Sequence, residues 1–183
     1  MIRLKHGYGL LALVLIFILV NCGDDDNGND ISTSENGNGV EFPDEKLNVL
    51  PGLPDDVAAY QKWLKLNDQP IPPLEGADPH RGTKNVYLNR ERAVIVINGQ
   101  QQFPYPDGAI IVKESIPPGE DFIGLIAIMR KMQGSNPDHN DWTFVEYTRN
   151  DSDEAFQKIA SGASCWGCHS EAVDTDYVFT LLE

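Results

Sequence analysis

The chain has 183 residues, with 28 Asp and Glu against 14 Lys and Arg and a formal charge of −14. That balance excludes nucleic-acid binding, which needs a basic face, and argues against polyanionic substrates. Small neutral molecules and a redox partner protein with a basic docking face stay open.

Arg3, Lys5 and His6 precede an apolar run from Leu10 to Val20. The run is shorter than the roughly 20 residues that cross a bilayer, and its flanks are those of a secretory signal, assigned to residues 1–21. Leu19-Val20-Asn21-Cys22 resembles the bacterial lipoprotein processing site, with Asn21 standing where a smaller residue is usual. The resemblance implies lipidation at Cys22, attachment to a membrane through that lipid, and a periplasmic or cell-surface location. Residues 22–46 carry Asp, Asn, Gly and Ser with almost no apolar content, which predicts a disordered tether. Asp24, Asp25 and Asp26 read as a charge run that keeps this linker solvated. Loss of Arg3 and Lys5 with the leader makes the mature chain still more acidic.

The folded domain is expected over residues 47–183, long enough to bury a core without disulfides. Pro54-Asp55-Asp56 opens a predicted helix with Val57, Tyr60, Trp63 and Leu64 on one stripe. Pro70, Pro72, Pro73 and Pro79 make the next stretch a loop. Asn85 to Leu88 reads as a short strand. Ala93 to Ile97 is strand-like by propensity, while Asn89 to Glu91 is equally suited to start a short helix. Pro106-Asp107-Gly108 marks a turn, followed by strands over Ala109–Glu114, Phe122–Met129 and Trp142–Thr148. Short connections make them antiparallel. Ala155, Phe156, Ile159 and Ala160 suggest a helix stopped by Gly162. The fold class is α+β: an antiparallel sheet with helices at both ends of the sequence.

Cys165-Trp166-Gly167-Cys168-His169 is C-x-x-C-H, the attachment motif of a c-type haem. Two thiols at this spacing reach the two vinyl groups of one haem, and the adjoining imidazole becomes the axial ligand of iron. Three rival chemistries share the residues. A zinc site needs a fourth ligand from His80 or His139, a thioredoxin-like pair needs a βαβ context, and a plain disulfide needs neither. Export, and a His directly after the second Cys, select haem c. One motif implies one covalent haem. No Met or His follows His169. The upstream candidates are Met129 in an apolar strand, Met132, His80 in a loop and His139 in a turn. All sit in poor contexts for a sixth ligand, so His169 is expected to be the sole axial residue. A six-coordinate electron-transfer cytochrome is the alternative.

The residues around this motif resemble the cytochrome P-460 and cytochrome c′-β family. The resemblance runs through Trp63, His80-Arg81-Gly82-Thr83-Lys84-Asn85-Val86-Tyr87-Leu88-Asn89, Phe103-Pro104, Asp107-Gly108 and Ala109 to Glu114. It continues through Asn136-Pro137, Asp141-Trp142 and Asp176-Tyr177-Val178-Phe179-Thr180. It implies a cytochrome P-460-like α+β fold, a homodimer, and a five-coordinate haem with a distal pocket for a small nitrogen compound. Members either oxidise hydroxylamine, with a Lys cross-linked to haem, or bind nitric oxide in an apolar pocket capped by Phe.

Lys113 falls on the cross-linking position, and its apolar neighbours favour a neutral amine; a strand Lys with its head in solvent is the competing reading. Where an oxidising member has a carboxylate, the resemblance places Ile126, which shifts expectation toward gas binding. Phe103, Phe122 and Phe144 are candidate pocket walls. If the protein is an enzyme, the expected activity is that of an oxidoreductase acting on hydroxylamine.

Overall fold

The structure, a computed structural model, describes residues 49–183 with the exception of Ala77. The signal segment 1–21, Cys22 and the tether lie outside the described residues. Six strands form one antiparallel sheet in the order β1-β2-β5-β6-β7-β8. They are β1 (Leu64–Lys65), β2 (Thr83–Leu88), β5 (Ile110–Ile116), β6 (Leu125–Lys131), β7 (Trp142–Thr148) and β8 (Gln157–Ser161). Between β2 and β5 the chain makes a one-turn helix α1 (Arg92–Ile95) and a small hairpin of β3 (Val96–Ile97) and β4 (Gln100–Gln101). Helix α2 (Ala163–His169) and a 3-10 stretch over Ser170–Thr175 follow the sheet. The expected α+β class with an antiparallel sheet is borne out.

Side chains alternate across the strands, so each face of the sheet carries its own core. One face gathers Leu66, Val86, Leu88, Ile111, Met129 and Phe144 beneath α2 and the C-terminal segment. The other gathers Val57, Tyr60, Val112, Ile126, Ile128 and Phe156. On this second face Glu114 is buried but fully engaged. It accepts hydrogen bonds from Tyr60 Oη at 2.6 Å, Asn85 Nδ2 at 2.9 Å and Tyr87 Oη at 3.1 Å.

Three sequence expectations are corrected. The helix after Pro54 is two 3-10 turns, Asp55–Val57 and Tyr60–Lys62, and Leu64–Lys65 is a strand. Pairing of Leu64 with Leu88, together with the Tyr60–Glu114 bond, outweighs helical periodicity there. The strand expected from Phe122 starts instead at Leu125. Arg149 holds the preceding bend by donating to Ile123 O at 2.7 Å, with its guanidinium 5.7 Å from the Phe122 ring centre. The third correction is the helix over Ala155–Ala160, which is the edge strand β8, paired with β7 across a bulge at Glu146/Tyr147. A run of six residues is under two helical turns, and β7 offers it a strand partner instead. Gly162, at φ +60°, precedes α2 rather than ending a helix.

Candidate functional site

Helix α2 presents the motif. Positions i, i+3 and i+4 fall on one helical face, so Cys165, Cys168 and His169 project together. All three line a cavity of about 740 Å³, within the roughly 300–1,000 Å³ usual for small-molecule and cofactor sites. Its walls come from the sheet (Lys113, Ala127, Met129, Phe144 and Glu146), from the proline-rich loop (Ile71, Leu74 and His80) and from Phe179 and Leu181 of the C-terminal segment.

His169 is held by a hydrogen bond from Nδ1 to the Tyr177 carbonyl at 2.7 Å, which leaves Nε2 for a metal. Phe144 and Phe179 flank the ring at 4.9 and 5.4 Å between centres. Burial lowers the His169 pKa, so the neutral, ligating form prevails. The two cysteines are free thiols. Burial, followed by the charges of Glu146 and Cys168, pushes the Cys165 thiol up. For zinc, no cluster of three or more metal-binding side chains exists among the described residues.

The proline-rich loop is pinned to β2. Lys84 Nζ pairs with Asp78 at 2.5 Å and bonds Gly82 O at 2.9 Å, and Ile71 bridges Lys84 in antiparallel fashion. Gly82, at φ +98°, passes so close to Ile116 O that a Cβ would stand 1.9 Å from it. This brings His80, whose backbone N–H is held by Asp78 Oδ1 at 3.1 Å, into the cavity wall. His80 Nδ1 lies 3.4 Å from Lys113 Nζ, and its ring centre lies 6.4 Å from that of His169. Burial, then the charges of Lys113 and His169, takes the His80 pKa down to about 3.

Lys113 faces the cavity, as the cross-link position requires, and not solvent. Burial, then repulsion from Lys84, brings its pKa down to about 8. Glu146, a residue the sequence reading missed, lies on the same face, and burial raises its carboxyl pKa while Lys113 opposes the shift. Its signal was the phase of β7: Trp142 and Phe144 mark the buried face, and Glu146 follows two residues on. Ile126 is corrected. It is 0% exposed in the core on the opposite face and cannot stand where a cavity carboxylate would.

Of the candidate phenylalanines, Phe144 lines the cavity. Phe103 packs on the core beside Tyr105, and Phe122 stands under Arg149. Met129 is core and reaches the cavity, whereas Met132 is exposed. His139 stacks on Trp166 at 4.2 Å between ring centres and does not line the cavity.

The sequence profile of cytochrome P460 matches residues 57–180, spanning every strand and the cavity-lining helix. The chain belongs to the cytochrome P460 family. No curated protein matches it in sequence. Membership makes it a haem-binding cytochrome. The donor set fits that group: two free thiols and one neutral imidazole, with Nε2 unengaged, converge on a largely apolar cavity. The side of the sheet that faces this cavity is the one that carries Lys113 and Glu146.

Proposed function

We propose that this protein carries one haem c, attached through Cys165 and Cys168 and ligated by His169, and that its cavity binds or oxidises a small nitrogen compound, hydroxylamine or nitric oxide. In attachment, each thiol S–H adds across one vinyl C=C, with sulfur on one carbon and hydrogen on the other, so no net redox change is needed. When bound, the haem supplies an iron that takes a nitrogen ligand and passes electrons onward.

The chain's residues supply the rest. Tyr177 O fixes the tautomer of His169 through Nδ1. Ile71, Leu74 and Phe179 give the cavity apolar walls. Glu146 is the carboxylate on the cavity face of the sheet, and its raised pKa suits it to accept a proton from an oxidised substrate. Lys113 is placed for a bond to the macrocycle edge. The observation that carries this reading is the convergence of both thiols, the His169 imidazole, the Lys113 amine and the Glu146 carboxylate on one cavity. Glu146 favours hydroxylamine oxidation over simple gas binding, with a redox partner protein taking the electrons. Lipidation at Cys22, export to the periplasm or cell surface and a homodimer complete the proposal.

The test is acid-acetone extraction of the purified protein. Haem is expected to stay on the wild-type chain and to be lost from the Cys165→Ala, Cys168→Ala variant. Free extraction of haem from wild type overturns the proposal. Detergent partitioning abolished by Cys22→Ala is the corresponding check on the anchor.

A further inference from the structure

Glu114 is a buried charge that the cavity chemistry leaves unused. It is 5% exposed, on the face of the sheet that carries Tyr60 and Val112, and among the described residues it forms no ion pair. Carboxylates are seldom buried without a cation, because an unpaired charge in the interior is costly. Here neutral donors take the place of the cation: Tyr60 Oη at 2.6 Å, Asn85 Nδ2 at 2.9 Å, Tyr87 Oη at 3.1 Å and Gln61 Nε2 at 3.4 Å. The two phenol rings meet edge to face at 5.4 Å between centres.

Tyr60 differs from the other buried tyrosines in where its O–H points. Tyr105 Oη accepts a hydrogen bond from Gln101 Nε2 at 2.6 Å, and Tyr177 Oη donates to the backbone carbonyl of Asp138 at 3.4 Å. Neither an amide N–H nor a peptide carbonyl keeps a proton, whereas a carboxylate does. Burial, then the charge of Glu114, raises the Tyr60 pKa well above its ordinary value, so the phenol holds its proton until an electron leaves it. Loss of that electron turns the phenol into a strong acid, and Glu114 Oε2 already stands in hydrogen-bond contact to receive the proton. The cluster lies one sheet thickness from the cavity. Glu114 directly follows Lys113 on β5, and alternation puts Lys113 in the cavity wall and Glu114 in the opposite core.

We infer that Tyr60 is a redox-active tyrosine, which gives one electron across the sheet to the haem when hydrogen peroxide reacts there, with Glu114 as the acceptor of its proton. This rests on the haem c reading above. Hydrogen peroxide takes up two electrons and two protons to become two molecules of water. Ferrous iron supplies one electron and becomes ferric, and Tyr60 supplies the other. The Tyr60 O–H bond breaks, its proton moves to Glu114 Oε2, and a neutral tyrosyl radical remains. The two protons that go into water come from solvent. The oxidising equivalent thereby leaves the cavity for the opposite core, away from His169 and the cysteine attachments. Tyr87, half-buried and bonded to the same carboxylate, keeps the proton acceptor in place while Tyr60 is oxidised.

The test is freeze-quench electron-paramagnetic resonance of the ferrous, haem-loaded protein mixed with one equivalent of hydrogen peroxide. Wild type is expected to show a free-radical signal beside ferric haem, and the signal should narrow when the protein is grown with ring-deuterated tyrosine. Tyr60→Phe should lose the signal and Tyr105→Phe should keep it. Glu114→Gln, which removes the proton acceptor, should lose most of it. Heavy water should slow radical formation in wild type, a readout of the proton transfer that needs no variant to fold. Peroxide consumed without a tyrosine radical, a signal that survives Tyr60→Phe or vanishes equally in Tyr105→Phe, or a rate untouched by heavy water overturns the inference. Covalent attachment is read separately by acid-acetone extraction, and haem that extracts freely would leave the assignment of the radical standing.

Discussion

Lys113 and Glu146 each stand opposite Ala127, one on β5 and one on β7, so an amine and a half-buried carboxylate share a single row of the sheet with only a methyl group between them. At a strand spacing of roughly 4.8 Å their Cα atoms are about 10 Å apart, and among the described residues the two form no ion pair with each other. The charges still sense each other: Lys113 lowers the Glu146 pKa against the larger effect of burial, and Glu146 raises that of Lys113.

That arrangement makes Glu146→Gln the informative change for catalysis. It keeps size and removes the base. Hydroxylamine turnover is expected to fall about 100-fold or more, the usual contribution of a placed general base, with haem content unchanged. Turnover equal to wild type would rule Glu146 out. Ile126→Glu, the change suggested by the family resemblance alone, should give no turnover. It puts a carboxylate among Val112, Ile128 and Phe156, where an unpaired charge costs several kcal/mol.

Lys113 carries a prediction about pH. The fold brings its pKa to about 8 from 10.5, so the native state gives up the proton at lower pH than the unfolded chain does. Between these values the unfolded chain binds more protons than the folded one, and stability rises with pH across that window. Urea unfolding of the haem-free Cys165→Ala, Cys168→Ala protein should show this rise, and adding Lys113→Met should flatten it. A slope that survives Lys113→Met would assign the titration to another group. In the haem-loaded protein the same amine is expected to be bonded to the macrocycle, and a tryptic digest should then yield one haem peptide that contains both the Cys165–His169 segment and the segment around Lys113.

The chemistry was legible in the sequence wherever it depended on local spacing. C-x-x-C-H needs only a helix to place its three donors on one face, and α2 supplies it. The central strands Ile110–Ile116 and Trp142–Thr148 were legible because a period of two needs no knowledge of the partner strand. What failed depended on long-range pairing. Ala155 to Ala160 has helical spacing, but its conformation is decided by the free edge of β7, earlier in the chain. The same holds for the cavity. His80 looked like a loop residue because the ties that turn it inward, Lys84 to Asp78 and the close passage of Gly82 along Ile116, are tertiary. Ile126 and Ala127 differ by one position, and only the register of β6 between β5 and β7 decides which of them meets the cavity.

Asp176 offers the last prediction, because it sets the carbonyl that holds His169. Asp176 and Tyr177 both adopt positive φ, +56° and +65°, which non-glycine residues tolerate only when their surroundings enforce it. The enforcing contacts belong to the Asp176 carboxylate, which is almost wholly buried. It accepts hydrogen bonds from Lys131 Nζ at 2.8 and 3.0 Å, from the Tyr105 backbone N–H at 2.8 Å and from Asn140 Nδ2. The next carbonyl along the chain, that of Tyr177, then points at His169 Nδ1. Asp176→Asn leaves the Lys131 ammonium buried without its counter-charge and should cost about 3–5 kcal/mol. Adding Lys131→Met removes the stranded charge and should recover much of that loss. If Asp176 also positions the axial imidazole, the double variant will be stable yet show a changed haem reduction potential, since the hydrogen bond to a ligating His tunes its basicity. A double variant with both stability and potential restored would confine Asp176 to a role in folding, and a single variant as stable as wild type would remove the ion pair from the account altogether.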